Sequence, residues 1–350
     1  MLYHSAAGFD PSADHPNRSK CRTCSLGSDR IIPDGSGDSQ MRIIAGRYAE
    51  IANTRRVGGQ GEVFQATDLH QGGRMVAVKL LPASADDIYR IYFERSTAAN
   101  RKLNHPNVAA LLDSGIDDGL GAYYLVMEWV PETLSSWLST FDEPPGWDDL
   151  AEAVALPLAS ALAHSHSLAV LHRDIKPTNV LWDGTAPILT DFALSKIKDQ
   201  VAAAQDATVV GSTNAPWAPP DHASRGSTRF DVYGLAATLL QCVTDWPIRD
   251  FPDIAKALAG ADVPPDVLDL LSRSLDPEPS RRPADGQVML VELQAIHEAR
   301  LSRWRKQKTI VFELSNTARR ALEEESPDRR PESAVPGLLG DGTVVLPRLE

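Results

Sequence analysis

Apolar and polar positions fall into two textures along the chain. Glu62-Val63-Phe64-Gln65-Ala66-Thr67 and Met75-Val76-Ala77-Val78-Lys79-Leu80-Leu81 are rich in β-branched and apolar residues and predict strands. Between them, His70-Gln71-Gly72-Gly73-Arg74 has turn chemistry, so the pair predicts an antiparallel hairpin. Ser84 to Leu103 predicts a helix, with Ser84 as N-cap and Asp86 and Asp87 in its first turn. Ala122 to Trp129 predicts another strand. Beyond Asp148 the pattern turns helical, over 148–168, 228–244, 252–259, 264–275 and 284–304. Strands first and helices afterwards predict an α+β fold of two lobes.

The longest stretch free of Asp, Glu, Lys and Arg runs from Ala153 to His172 and includes Pro157, serines and three histidines. A membrane span needs about 20 predominantly apolar residues, so this reads as a buried helix of a soluble protein. The first residues have neither a basic start nor an apolar core, and no signal peptide is expected.

Both ends differ from the middle. Residues 1–45 read as a flexible segment, with Asp34-Gly35-Ser36-Gly37-Asp38-Ser39 as linker. His4, His15, Cys21 and Cys24 offer four zinc-ligand side chains, but a strong zinc signature has two tight pairs and here there is one. The plainer reading is a tail with incidental cysteines. After residue 300, Arg300, Arg303, Arg305, Lys306 and Lys308 form a basic run, most simply a solvated face. Thr309 to Leu314 predicts a short strand, and Ser315 caps a helix to Glu325.

At 350 residues the chain is long enough for two compact units or one larger unit with tails. Its 35 Lys and Arg against 47 Asp and Glu give a net charge of −12, which argues against a nucleic-acid partner. Three cysteines are too few for a disulfide scaffold and suggest a reducing, cytoplasmic setting.

Candidate chemistry concentrates in His172-Arg173-Asp174-Ile175-Lys176-Pro177-Thr178-Asn179-Val180-Leu181. An Asp followed at this spacing by Lys and Asn suits phosphoryl transfer. The carboxylate orients a hydroxyl and accepts its proton, the Lys offsets charge on the transferred group, and the Asn oxygen holds magnesium. The alternative is a surface loop whose Asp, Pro and Asn merely build a turn.

This segment resembles the catalytic loop of eukaryotic-like serine/threonine protein kinases, and the resemblance extends over about residues 47–300. It implies a two-lobed fold: a small antiparallel-sheet N-lobe with one main helix (46–130), a larger helical C-lobe (131–300), and a C-terminal extension (301–350). Val76-Ala77-Val78-Lys79 resembles the strand whose Lys meets the α- and β-phosphates of ATP. Asp191-Phe192-Ala193 resembles the Asp-Phe-Gly motif, implying Asn179 and Asp191 as ligands of Mg2+, with Mn2+ as a substitute. Val57, Gly58, Gly59 and Gly61 resemble a Gly-rich phosphate loop, although Arg56 stands at its first Gly position. Val63, Ala77 and Leu181 would sandwich the adenine, with Met127 beside it and the Glu128 carbonyl and Val130 amide bonding it. Pro219-Pro220-Asp221 resembles the Ala-Pro-Glu motif, with Arg282 implied as the partner of Asp221. Asp231 is implied to hold the catalytic-loop backbone. Arg173 suggests control by phosphorylation, with Thr208, Ser212 and Thr213 as candidate acceptors; Thr213 also suits bonding to Asp174 and Lys176.

In the helix after Lys79, Ser96 stands where the family has the Glu that pairs with the Lys, and Glu94 lies two residues away, about 200° around a helix. Either Glu94 serves or Lys79 finds another partner. The resemblance implies transfer of the γ-phosphoryl of Mg-ATP to protein Ser or Thr hydroxyls, without nucleic-acid or membrane partners. Arg56 and Ser96 motivate the alternative, an inactive or weakly active nucleotide-binding module.

Overall fold

The computed structural model describes residues 30–31, 42–58, 61–83, 87–192, 217–221, 223–244 and 254–324. The chain divides into two units, 1–294 and 295–350. In the first, eight strands form one antiparallel sheet: β1 (Arg30–Ile31), β2 (Ile43–Ile44), β3 (Tyr48–Glu50), β4 (Arg56–Gly58), β5 (Gly61–Asp68), β6 (Arg74–Pro82), β7 (Leu111–Asp117) and β8 (Ala122–Glu128). Its main path runs β1-β4-β5-β6-β8-β7, with the β2–β3 hairpin joined through β3 to β5. The hairpin expected between 62 and 81 is present as β5–β6. The pairing of Arg30 and Ile31 with β4 corrects the reading of 1–45 as wholly flexible. So does the pairing of β2 with β3.

Period-two geometry sorts this sheet into two faces. Phe64, Ala66, Val76, Val78, Leu80 and Val126 pack with Ile44, Tyr48, Ala122 and Tyr124 in one buried cluster. The intervening residues face the other way. Val63 stands opposite Lys79, Lys79 opposite Leu125, and Ala77 opposite Met127, so these five side chains share one face.

Helix α1 (Asp87–Asn100) follows β6. After β8, a three-stranded sheet joins β9 (Glu132–Thr133), β10 (Val180–Trp182) and β11 (Pro187–Leu189). Helix α2 (Leu134–Leu138) is closed by a capping box between Thr133 and Ser136. The helix expected over 148–168 is built as α3 (Trp147–Leu150), a π-helical turn at Ala151–Ala155, and α4 (Leu156–Ser167). The wide turn lies just ahead of Pro157, whose ring lacks an N–H and crowds the preceding turn of a regular α-helix. Helix α5 (Thr228–Cys242) is buried almost throughout, followed by α6 (Ile254–Gly260), α7 (Pro265–Ser274) and α8 (Gly286–Glu324).

The backbone of α8 continues through 309–314, which corrects the expected strand there. An incipient helix extends at one new hydrogen bond per residue, whereas a strand needs a paired neighbour. No described helix is long and apolar enough to cross a membrane.

Candidate active site

The site is assembled from three segments: β6 of the sheet lobe, the loop 172–179 after α4, and the residues following β11. Lys79, on the face shared with Val63, Ala77 and Met127, is 3% exposed. Its Nζ lies 2.9 Å from Asp191 Oδ1. Asp191 has φ of 65°, unusual for a residue with a side chain, so its conformation is held by its surroundings. The next residue, Phe192, is fully buried, with its ring 4.6 Å from that of His172.

His172 fixes the loop from inside. Its Nδ1 accepts the Asp174 amide at 3.2 Å, so its Nε2 carries the proton donated to the Thr190 carbonyl at 2.8 Å. This needs a neutral imidazole, and burial pushes the His172 pKa down against the pull of Asp231 and Asp174. Asp231 accepts the backbone N–H groups of His172 at 2.8 Å and Arg173 at 2.5 Å, the role the resemblance implied. Arg173 has φ of 66°, and its Nε is buried without a hydrogen-bond partner.

Asp174 is 5% exposed, with Lys176 Nζ 3.4 Å from its Oδ1. Asn179 Nδ2 donates to the Asp174 carbonyl at 2.8 Å and to its Oδ2 at 3.0 Å. Both amide protons are therefore spent on Asp174, and the Asn179 carbonyl oxygen remains an acceptor. With Asp191 it forms an all-oxygen donor set, which fits magnesium. Among the described residues there is no cluster of three or more His, Cys, Asp or Glu that would hold a metal by itself.

Val57 and Gly58 lie in β4, with Gly58 paired to Gly61. Gly61 has φ of 123°, and a Cβ there would meet the Leu80 carbonyl oxygen at 2.1 Å, so only glycine suits this turn. Leu181 pairs with Ile188 in β10–β11. The Glu128 side chain, half-exposed, pairs with Arg74 at 2.6 Å. Val130 is half-buried beyond β8. Arg282 reaches Asp221 at 2.5 Å, its side chain fully buried. Burial alone would raise the Asp221 carboxyl, but hydrogen bonds from Ser224 and Arg282 outweigh it and hold it below the usual range.

Glu94 does not reach the site. Its carboxylate is 58% exposed and pairs with Arg90 at 3.0 Å, whereas Ser96 is 1% exposed. The two residues' 200° separation around α1 sets this: turning Ser96 inward turns Glu94 out. Ser96 Oγ is buried without a hydrogen-bond partner. An exposed i,i+4 pair is worth about 0.3–0.5 kcal/mol. Glu94→Ala is therefore expected to leave any phosphoryl-transfer rate within about twofold of the parent; a tenfold loss would return Glu94 to the site. Gly59, Thr208, Ser212, Thr213, Cys21 and Cys24 lie outside the described residues.

The sequence did not single out His166 or Gly286. His166 Nδ1 accepts the Gly286 amide at 2.9 Å, and its Nε2 meets Asp231 at 3.1 Å. A Cβ on Gly286 would meet Ala163 N at 2.6 Å, so glycine permits this close approach of α8 to α4. The only signal was a pair of histidines, His164 and His166, in the otherwise uncharged α4.

Comparison with known proteins converges on one family. The family model described as "Protein kinase domain" matches residues 56–293. A probable serine/threonine-protein kinase of Corynebacterium efficiens is 36% identical over 215 residues, 59% of this chain and 32% of that protein. The serine/threonine-protein kinase PrkC of Bacillus subtilis is 31% identical over 207 residues, 57% of this chain and 31% of its own length. The chain thus spans about a third of these curated relatives. Among solved structures, the kinase domain of Mycobacterium tuberculosis PknI superposes with a TM-score of 0.53 at 22% identity, covering 73% of this chain and 97% of that one. That likeness concerns the fold.

Proposed function

The chain belongs to the protein kinase domain family, and from that premise we propose that it transfers the γ-phosphoryl of ATP to Ser or Thr hydroxyls of protein substrates. The observation that carries this reading is the convergence of Lys79, Asp174, Lys176, Asn179 and Asp191 in one unit. Asp174 is the general base, buried beside Lys176. It orients the attacking hydroxyl and takes up its proton as the new P–O bond forms and the bond to the leaving nucleotide breaks. Asn179 and Asp191 would hold Mg2+, or Mn2+ in its place, which supplies charge neutralisation between the phosphates. Lys79 pairs with the phosphates, and Lys176 offsets charge on the group in transit. Val63, Ala77, Met127 and Leu181 would enclose the adenine, and the backbones of Val57, Gly58, Gly59 and Gly61 the phosphates.

The buried, unpartnered Nε of Arg173 supports a second element of the proposal. A phosphate on Thr208, Ser212 or Thr213 would supply a charge-assisted bond to that guanidinium. The test is incubation with labelled ATP, Mg2+ or Mn2+ and a generic protein substrate. Label is expected on Ser and Thr but not on Tyr, with some on the chain itself between Asp191 and Asp221. No transfer with either metal would overturn the enzymatic reading. A melting-temperature rise with Mg-ATP but no transfer would favour a nucleotide-binding module.

A further inference from the structure

A second, open cleft lies in the helical lobe, and none of the residues assigned to phosphoryl transfer lines it. It has a volume of about 320 Å³ and is lined by Ser224, Ser227, Arg229, Glu278, Pro279 and Ser280. Its walls are the 3-10 turns Ala223–Gly226 and Pro279–Arg281 and the start of α5.

Arg229 is the anomaly there. Among the described residues its guanidinium makes no ion pair or hydrogen bond, and its Nε is buried without a partner. Three other described arginines of this lobe are engaged: Arg273 with Asp269 and Glu292, Arg281 with Asp276, and Arg282 with Asp221. A half-buried guanidinium left unpaired at the wall of a cleft is a strong site for a planar oxyanion, which it binds through two parallel N–H donors.

The other polar groups narrow the class of ligand. Ser227 Oγ donates to the Ser224 carbonyl at 2.9 Å, and Ser280 Oγ donates to Glu278 Oε1 at 2.9 Å. The Ser224 hydroxyl is bonded to Asp221, so all three hydroxyl protons are committed and Arg229 is the principal donor. Glu278 lines the same cleft, beyond ion-pair reach of Arg229. Its second oxygen repels a free anion but accepts an N–H. A peptide carrying an acidic side chain satisfies both groups: its carboxylate or phosphate meets Arg229, and a backbone N–H meets Glu278.

We propose that this cleft is a docking site for an acidic peptide segment of a partner protein, with Arg229 pairing its oxyanion and Glu278 accepting its backbone N–H. The proposal stands apart from the catalytic reading.

The test follows the Arg229 Nε–Hε signal of the full chain by nuclear magnetic resonance, with Mg-ADP present and the signal assigned by its loss in Arg229→Lys. The probes are a capped Gly-Asp-Glu-Asp-Gly peptide, its Gly-Asn-Gln-Asn-Gly counterpart, a version with phosphoserine at the central position, and inorganic phosphate. Saturable shifts with the acidic peptides, at least tenfold weaker with the neutral one and with inorganic phosphate, are expected. A tenfold advantage for phosphoserine would identify a phosphorylated partner, and equal binding a carboxylate one. Arg229→Gln is expected to weaken the acidic peptide at least tenfold with an unchanged melting temperature. If that variant does not fold, the parent's discrimination between acidic and neutral peptides decides alone. Equal shifts with acidic and neutral peptides, equal shifts with inorganic phosphate, or none at all would overturn the proposal.

Discussion

Asp174→Asn is expected to lower kcat for phosphoryl transfer by about 10²–10⁴-fold, the usual contribution of a positioned general base. The substitution is nearly isosteric. The Asn179 bond to the backbone carbonyl of residue 174 survives it, as does the amide bond to His172 Nδ1. What disappears is the only function an amide cannot supply, uptake of the hydroxyl proton. The KM for ATP is expected to change far less, because Lys79, Asn179 and Asp191 are untouched. Steady-state kinetics with nucleotide binding measured separately check this. A variant that transfers phosphate at the parent's rate would remove Asp174 as the base.

The second large effect falls on stability. Arg282→Met is expected to cost about 3–5 kcal/mol, the usual penalty for removing one partner of a buried ion pair. The Arg282 side chain is fully buried. Besides Asp221 it bonds the carbonyls of Asp276 at 2.7 Å and Pro277 at 3.1 Å, and its guanidinium lies 5.1 Å from the Tyr233 ring centre. Methionine fills the volume but leaves these acceptors unanswered. The pair also has a pH signature. Asp221 titrates below the ordinary range of an Asp carboxyl when folded, so its contribution is fully present above that range and is lost as the pH falls through the lower, folded value. The stability gap between parent and variant is therefore expected to be constant near neutrality and to narrow below about pH 4. Denaturant unfolding at several pH values measures it; a gap that stays constant down to pH 2 would show that the Asp221 charge contributes nothing.

Much of the site was legible because its chemistry lies close together in sequence. Asp174, Lys176 and Asn179 span one short loop, and the β5–β6 hairpin follows from apolar runs around a glycine turn. Alternation then places Val63, Ala77 and Lys79 on one face. The sequence leaves Glu94 undecided for a physical reason. Spacing alone says that Ser96 and Glu94 oppose each other, but not which of them faces inward.

The chain's own sequence determined the fold class, the hairpin, the order of the motifs and the candidates for the reacting groups, because these depend on periodicity and on side-chain chemistry over a few residues. Tertiary structure alone decided the rotation of α1 about its axis, and with it the pairing of Lys79 with Asp191 rather than Glu94. It also decided the chain of bonds from Gly286 through His166 to Asp231, whose members lie up to 120 residues apart. Such contacts are set by which surfaces pack together, and no local pattern carries that information. The helical backbone through 309–314 obeys the same rule: a strand exists only where a neighbour pairs with it, whereas a helix satisfies its own backbone.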